Sequence, residues 1–277
     1  MEFRIGLSVK PKEINEFGEV IFINSAEVTP AAYTEADCLA YGFKYAESTC
    51  FVITNGVDFF STDDTNVNDF GSRNQVQSEV FNSNIIGKDN SLLQNSNNNI
   101  IVGDSNTISG ISNTILSGTK GDALYNNSQV LGGNQYDDLE TRQSIVLLAG
   151  LESTTASWGN AKLSNDGSTR FTIEDNSIVT YNIYITGVRT GGTAAGNKGD
   201  FKTWVERGSV VNRAGTSTLK RVRTNVGNDG TTTGWNVTSA VNVDNYLNIS
   251  LKGATNMNIK WIAKLELIEL KTGIDLS

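Results

Sequence analysis

The sequence of 277 residues contains no histidine and only two cysteines. The absence of histidine excludes Ser-His-Asp and Cys-His catalysis, and also His-ligated zinc. Two cysteines are too few for a structural zinc site or an iron–sulfur cluster. We therefore predict that the chain has no metal site and uses no cofactor.

The sequence is also poor in positive charge and in long hydrophobic runs. It has 22 Lys and Arg against 30 Asp and Glu, a formal net charge of −8. Nucleic acid and anionic membranes attract a basic face, so neither is expected as the main partner. No stretch approaches the ~20 apolar residues of a membrane span, and the N-terminal residues lack the hydrophobic core of a signal peptide.

Small neutral polar residues take the place of charge. The chain has 32 Asn and 27 Gly, which, together with Ser and Thr, favour tight turns between short strands. Disordered chains carry more net charge and fewer β-branched and aromatic residues. The composition therefore predicts a folded, all-β protein.

Residues 1–75 are predicted to form a small α+β domain. Alternating hydrophobic residues at 3–9 indicate a half-buried strand. Thr34 is placed to cap a short helix that Gly42 would end. Cys38 and Cys50 lie in the same segment.

Residues 76–135 contain a seven-residue repeat, which is strictest at 98–118. Two of its positions recur: Asn99, Asn106 and Asn113 at the second, and Ile101, Ile108 and Ile115 at the fourth. Coiled-coil heptads contain strong helix formers, whereas these units contain Asn, Gly, Ser, Thr and Ile.

We interpret each unit as a short strand followed by a corner, so that two units make one coil of a β-roll or a triple β-helix. The isoleucines would form the core of this shaft, and the asparagines would occupy its corners or stack in ladders. The alternative is a polar linker that happens to repeat.

Residues 136–277 are predicted to form a β-sandwich with jelly-roll-like topology. Strands with alternating hydrophobic residues, such as 247–251 and 259–267, are separated by turn signals such as 165–167 and 228–230. The number and spacing of these strands are typical of sandwiches and jelly rolls.

Three features point to one family: the heptad stretch, the segment Cys38-Leu-Ala-Tyr-Gly-Phe-Lys-Tyr45 that leads to Cys50, and the C-terminal β region that ends in Asn258-Ile-Lys-Trp-Ile-Ala263. Together they resemble tail-fibre or other appendage proteins of tailed bacteriophages. The heptad stretch is also similar to the β-roll heads of trimeric bacterial adhesins.

The resemblance implies a homotrimeric virion protein that is made in the host cytoplasm. Residues 1–75 would attach to other virion proteins, and residues 136–277 would form a tip that binds a host-surface glycan or protein. One alternative is a head, neck or tail decoration fibre without a receptor of its own, and another is a glycan depolymerase. In a protein made in a reducing cytoplasm, Cys38 and Cys50 are either two buried thiols or a disulfide worth about 3 kcal/mol.

Five residues are candidate ligand contacts: Trp158, Trp235 and Tyr246, which can stack on sugars, and Arg221 and Arg223, which can contact acidic glycans. Trp158 and Trp235 lie in loop-like sequence contexts, and the arginines belong to the only basic run. The alternatives are core packing for the aromatic residues and a solvated or charge-protected edge strand for the arginines.

Carboxylates are the remaining candidates for catalysis, since a pair of them can hydrolyse glycosides. Asp137 and Asp138 are neighbours, as are Glu174 and Asp175, and adjacent residues on a strand point to opposite faces. The oxygen-rich stretch 63–69 lacks the Gly and Glu of a calcium-binding loop. The repeat is also too short for a full substrate groove, so we predict that the chain is not an enzyme.

Overall fold

The computed structural model describes residues 8–14, 19–24, 30–46, 48–51, 53–54, 57–58, 67–77, 79–133, 141–163, 170–272 and 274–276. The predictions for residues 3–7, 63–66, Asp137, Asp138 and the turn at 165–167 lie outside them. The described residues are mostly β-strand, which confirms the all-β prediction. No helix among them is long and apolar enough to span a membrane.

The N-terminal part contains β1 (Val9–Ile14), β2 (Val20–Asn24), α1 (Glu35–Ala40), β3 (Lys44–Ala46), β4 (Thr49–Phe51), β5 (Ile53–Thr54) and β6 (Val57–Asp58). The strands pair as three antiparallel hairpins. Thr34 caps α1, since its Oγ1 accepts the Asp37 N–H at 3.2 Å while the Asp37 carboxylate accepts the Thr34 N–H at 2.8 Å. Cys38 and Cys50 form a disulfide beside the buried Phe22.

The repeat forms a solenoid of nine strands: β7 (Asn68–Ser72), β8 (Gln75–Val76), β9 (Asn84–Lys88), β10 (Ser91–Leu92), β11 (Ile100–Asp104), β12 (Thr107–Ile108), β13 (Ile115–Thr119), β14 (Asp122–Ala123) and β15 (Gln129–Gly132). The odd-numbered strands pair in parallel in one sheet, and the even-numbered strands pair in parallel in another. Successive coils of one chain therefore pair with each other, which corrects the prediction of a triple β-helix.

The length of a coil follows from the pairing register. Asn68, Asn84, Ile100, Ile115 and Gln129 are equivalent residues, which are separated by 16, 16, 15 and 14 positions. Two heptads therefore make about one coil, as the sequence predicts. About four such coils are present.

The core row of the solenoid differs from the heptad prediction at one residue. Ile101 and Ile108 are fully buried, but Ile115 is 44% exposed and Leu116 takes the buried position. Leu116 pairs with Ile101 at a separation of 15 residues instead of two heptads. Because side chains alternate along a strand, one extra residue turns Ile115 to the outer face.

The three predicted corner or ladder asparagines occupy three different places. Asn106 stacks on Asn90, whose Oδ1 accepts its Nδ2 at 3.0 Å, and its own Oδ1 accepts the Gly121 N–H at 2.9 Å. Asn99 belongs to a second ladder, in which its Oδ1 accepts the Thr114 N–H at 2.9 Å. Asn113 is exposed at a corner with φ of 60° and belongs to neither ladder.

Glycine is required where successive coils approach each other most closely. A Cβ added to Gly87 would lie 1.8 Å from the Gly103 carbonyl oxygen, and one added to Gly103 would lie 1.9 Å from that of Gly118. Gly87 and Gly103 also have φ of +130° and +136°, which side chains rarely permit.

The C-terminal part contains β16 (Thr141–Ser153), β17 (Trp158–Asn160), β18 (Lys162–Leu163), β19 (Phe171–Thr172), β20 (Ser177–Gly191), β21 (Phe201–Arg213), β22 (Thr216–Asn228), a 3₁₀ turn (Gly230–Thr232), β23 (Asn236–Val241), β24 (Tyr246–Lys252) and β25 (Asn258–Lys271). β16 pairs antiparallel with β15, so the first solenoid sheet continues through β16, β25, β20, β21 and β22. The predicted boundary at residue 136 therefore does not interrupt this sheet.

A second sheet packs against the inner face of these antiparallel strands. In it, β24 pairs with β17, β19 and β23. Tyr181 of the first sheet is 3.4 Å from Ser239 of the second through their hydroxyl oxygens, and Trp204, Trp235 and Trp261 pack together in the core between the sheets.

Candidate carbohydrate-binding face

The outer face of the second sheet is polar. Leu247, Ile249 and Leu251 of β24 are buried, so the alternate residues of this strand point outward. This polar face consists of Trp158, Asn160, Asn236, Thr238, Tyr246, Asn248, Ser250 and Lys252. It presents amides and hydroxyls beside two aromatic rings, which is the combination that a sugar with polar edges and an apolar ring face can contact.

Both aromatic side chains of the polar face lie beside cations. The Lys252 Nζ is 5.9 Å from the ring centroid of Trp158, and the Arg170 guanidinium is 5.8 Å from that of Tyr246. Trp158 is 48% exposed. Trp158 pairs with Lys252, which lies six residues along β24 from Tyr246, so the two rings are about 20 Å apart. A ligand that contacts both must be an extended chain.

Trp235 does not belong to this face, although the sequence places it in a loop-like context. It is 2% exposed, and its ring centroid lies 5.6 Å from that of Trp261 in the core. Its backbone follows the 3₁₀ turn, where the chain passes from the end of β22 back over the core. The interpretation of Trp235 as a ligand contact is therefore wrong.

Arg221 and Arg223 point toward a buried carboxylate. Each has Nη1 within 4 Å of the Glu206 Oε2, at 3.9 and 3.8 Å, and Glu206 is 1% exposed. Arg221 also donates to the Ser239 Oγ at 2.7 Å, and Tyr181 donates to Glu206 at 3.0 Å. These arginines compensate a buried charge and link β22 to the second sheet, which accounts for their place in the fold without a ligand.

Three carboxylates influence one another electrostatically where the last coil joins the antiparallel strands. Burial raises the pKa of Asp122, and the charge of Glu174 adds to the shift. Burial likewise raises the pKa of Glu269, which accepts a hydrogen bond from the Gln143 Nε2 at 2.7 Å. The Gln143 Oε1 accepts the Asp122 N–H at 3.0 Å and so ties β14 to β16. We refer to Asp122, Glu174 and Glu269 as the acidic cluster.

The acidic cluster was not found from the sequence, because its members come from three distant segments. Only carboxylates that are adjacent in the sequence were predicted as catalytic candidates, and Glu174 was one of them as the neighbour of Asp175. Within the described residues, no three acidic or cysteine side chains are placed to hold a metal ion. Perturbed carboxyls of this kind can instead serve as general acids.

A straight row of exposed apolar residues crosses the outer face of the long sheet. This apolar strip consists of Phe70, Ile86, Val102, Leu131 and Ile268, which are 48%, 46%, 40%, 57% and 64% exposed. The pairing register aligns them across the sheet, with Ser117 and Ser144 in the row. A row of exposed apolar side chains of this length, interrupted only by the two serines, is typical of an interaction surface.

No family model matches the chain, and no curated protein is similar to it. One similar solved structure is the tailspike protein gp49 of Acinetobacter baumannii bacteriophage Fri1, a capsular polysaccharide depolymerase, with 11% identity and a TM-score of 0.26 over 72% of this chain and 36% of that one. A second is the tailspike of Acinetobacter baumannii phage AM24, with 9% identity and a TM-score of 0.25 over 76% of this chain and 50% of that one. A third is Pantoea stewartii WceF, a glycan biofilm modifying enzyme with a tailspike-like parallel β-helix, with 9% identity and a TM-score of 0.22 over 72% of this chain and 39% of that one. The chain therefore spans between about a third and half of their lengths.

These comparisons correct one prediction. The sequence predicts that the chain is not an enzyme, whereas two of the three similar structures are a depolymerase and a glycan-modifying enzyme. The prediction rested on the missing histidine, on adjacent carboxylates and on a repeat too short for a full substrate groove, and none of these considerations covers carboxylates that the fold brings together. At TM-scores of 0.26 and lower, the similarity assigns no activity or residue role to this chain.

Proposed function

We propose that this chain is part of a bacteriophage virion appendage and that its polar face binds a host-surface polysaccharide. The observation that carries the proposal is the pair of aromatic rings, Trp158 and Tyr246, on one face with amides and hydroxyls. Their separation of about 20 Å favours a polymer over a single sugar. The remaining parts of the proposal follow the sequence resemblance, with the N-terminal part attached to other virion proteins.

Binding to purified host-surface polysaccharide tests the polar face. Trp158→Ala removes the largest exposed ring of the face and is expected to weaken binding about tenfold, as loss of a central aromatic contact does. Trp158→Phe keeps an aromatic ring and should retain most of the affinity. Short oligosaccharides should bind more weakly than the polymer, because they reach only one ring.

Two results would count against this function. Equal affinity of wild type and Trp158→Ala would show that the polar face is not the binding surface. Absence of binding to any host-surface polysaccharide or to host cells would favour the alternative of a head, neck or tail decoration fibre without its own receptor.

We further propose that copies of this chain associate through the apolar strip as a homotrimer. The strip runs from β7 to β25, and burial against another copy would remove its large aliphatic side chains from water. A groove of about 490 Å³ beside Leu131 and Ile268 can receive side chains of the second copy. The number three comes from the resemblance to phage fibres and trimeric adhesins.

A second function, cleavage of the bound glycan, is favoured by the acidic cluster. A carboxyl with a raised pKa can donate its proton to the glycosidic oxygen while another carboxylate activates water for the hydrolysis. Incubation of the purified protein with polysaccharide should then release reducing ends. Asp122→Asn and Glu269→Gln should abolish the release, and Glu266→Gln should not. Intact polysaccharide after incubation with wild type would refute this second function.

A further inference from the structure

Positive charge is concentrated in one segment of an acidic chain. Residues 177–228 contain eight Lys and Arg but two Asp and Glu, a net charge of +6 against −8 for the whole chain. The two acidic residues are buried and already paired, Asp200 with Arg189 and Glu206 with Arg221 and Arg223. The other basic residues of the segment are therefore not neutralised from within it.

Three of these basic residues lie on the outer face of the hairpin formed by β21 and β22. Arg207 is opposite Val222, and Lys220 is opposite Ser209, so Arg207 and Lys220 are diagonal neighbours about 7–8 Å apart. Arg213 follows at the end of β21, about 20 Å from Arg207. All three side chains are exposed, and none forms an ion pair with another described residue.

The same hairpin carries a groove of about 380 Å³ that is lined by Val205, Arg207, Val222, Thr224 and Val226. Val222 and Val226 are 72% and 64% exposed. The groove thus combines an apolar wall, a hydroxyl and a guanidinium. A sugar carboxylate matches this combination, because its ring can pack on valine while its charge pairs with the planar guanidinium.

We propose that the β21–β22 hairpin binds a carboxylated sugar unit of an acidic polysaccharide. Arg207 pairs with the carboxylate in the groove, and Lys220 and Arg213 attract further carboxylates along the same chain. This inference rests on the proposed function in that it names the class of polysaccharide. The hairpin is nevertheless a separate surface, because it lies on the outer face of the first sheet and the polar face lies on that of the second.

The hairpin is also separate from the apolar strip. In the sheet order, β20 and β21 stand between β25, which carries Ile268, and the edge strand β22. The strand of Arg207 and Arg213, β21, is therefore two strand spacings from β25, about 10 Å, and the strand of Lys220, β22, is three, about 14 Å. Substitutions of the hairpin cations should therefore leave the oligomeric state unchanged, and sedimentation of each variant checks this.

The probes are polygalacturonate, which carries one carboxylate per sugar, and the neutral polymer dextran. Wild type is expected to bind polygalacturonate, with affinity that falls as salt screens the charges. Arg207→Gln with Lys220→Gln should weaken this binding about tenfold or more. The matched control, Lys198→Gln with Lys260→Gln, removes the same charge elsewhere and should bind like wild type.

Three outcomes would overturn the proposal: no binding of polygalacturonate by wild type, equal binding by the hairpin variant, or an equal loss in the control, which would show nonspecific attraction. The polar-face proposal is judged separately by Trp158→Ala on host polysaccharide. A loss there with no effect of the hairpin variant on polygalacturonate would retain the proposed function and reject this inference.

Discussion

Buried polar side chains make specific contacts that hold distant segments of this protein together. Gln143 joins β14 to β25 by donating to Glu269 and accepting from the Asp122 N–H. The Glu206 carboxylate accepts a hydrogen bond from the Tyr181 hydroxyl and faces the guanidinium groups of Arg221 and Arg223 on the edge strand. The Glu206 Oε2 accepts no hydrogen bond from the described residues, and the positive charge of the two guanidinium groups offsets part of the cost of burying it.

At the residue scale, Glu269 is predicted to lower stability as pH rises. Its pKa is raised by burial, so the folded chain retains a proton that the unfolded chain releases, and the free energy of unfolding falls as pH rises through the raised pKa. Glu269→Gln cannot ionise, still accepts a hydrogen bond from Gln143, and should reduce this fall to the part that Asp122 contributes, since burial also raises the pKa of Asp122. Urea unfolding between roughly pH 3 and pH 8 measures the slope.

Glu266 provides the opposite control. The hydrogen bond from Lys264 lowers the pKa of Glu266, so its contribution is present above the ordinary pKa of glutamate and is lost as pH falls through the lowered value. Glu266→Gln should therefore leave the loss of stability at rising pH unchanged. A wild-type slope in Glu269→Gln would contradict the assigned environment of Glu269.

At the scale of the element, each coil is joined to the next by a side-chain ladder as well as by strand pairing. Asn106 bonds to Asn90, to the Gly118 carbonyl and to the Gly121 N–H. The ladder continues down to Asn74, which accepts the Asn90 Nδ2 at 3.1 Å. On this side of the solenoid, successive coils pair only through the two-residue strands β8, β10, β12 and β14. The ladder adds side-chain hydrogen bonds between the same coils.

Asn106→Ala is predicted to destabilise the solenoid by about 2–4 kcal/mol, because it leaves several buried groups without a partner. Chemical denaturation followed by circular dichroism measures the loss. Asn113→Gly is the matched control, since Asn113 is exposed at a left-handed corner and glycine keeps that backbone conformation. An equal effect of the two substitutions would show that the ladder adds no specific stability.

At the scale of the whole molecule, the long sheet unites the solenoid with the C-terminal strands and carries the apolar strip across both. Large exposed side chains in one straight row are unfavourable in water. A monomer in solution would leave all of them exposed. We therefore expect copies of the chain to associate through the apolar strip.

Leu131→Asp places a charge in the middle of the strip and is predicted to dissociate the oligomer. Sedimentation or light scattering should then give the monomer mass of 29.9 kDa, while wild type gives a multiple of it. Leu124→Asp is the control, because Leu124 is 42% exposed outside the strip. A wild-type monomer of 29.9 kDa would refute the proposed self-association.

Local spacing and composition are enough to predict several features of this protein. The Asn and Gly content predicted strands and corners, two heptads predicted one coil, and Thr34 predicted the start of α1. These features depend on residues within one turn or one coil of each other, so their chemistry can be read directly along the chain.

Which face of each strand is buried and which distant residues come into contact depend on the packing of the whole chain. One extra residue in a coil turned Ile115 outward, packing against Trp261 placed Trp235 in the core, and the pairing of β16 with β25 brought Gln143 to Glu269 across 126 positions. The physical reason is that alternation fixes two faces of a strand, while burial of one of them depends on a partner that is remote in sequence.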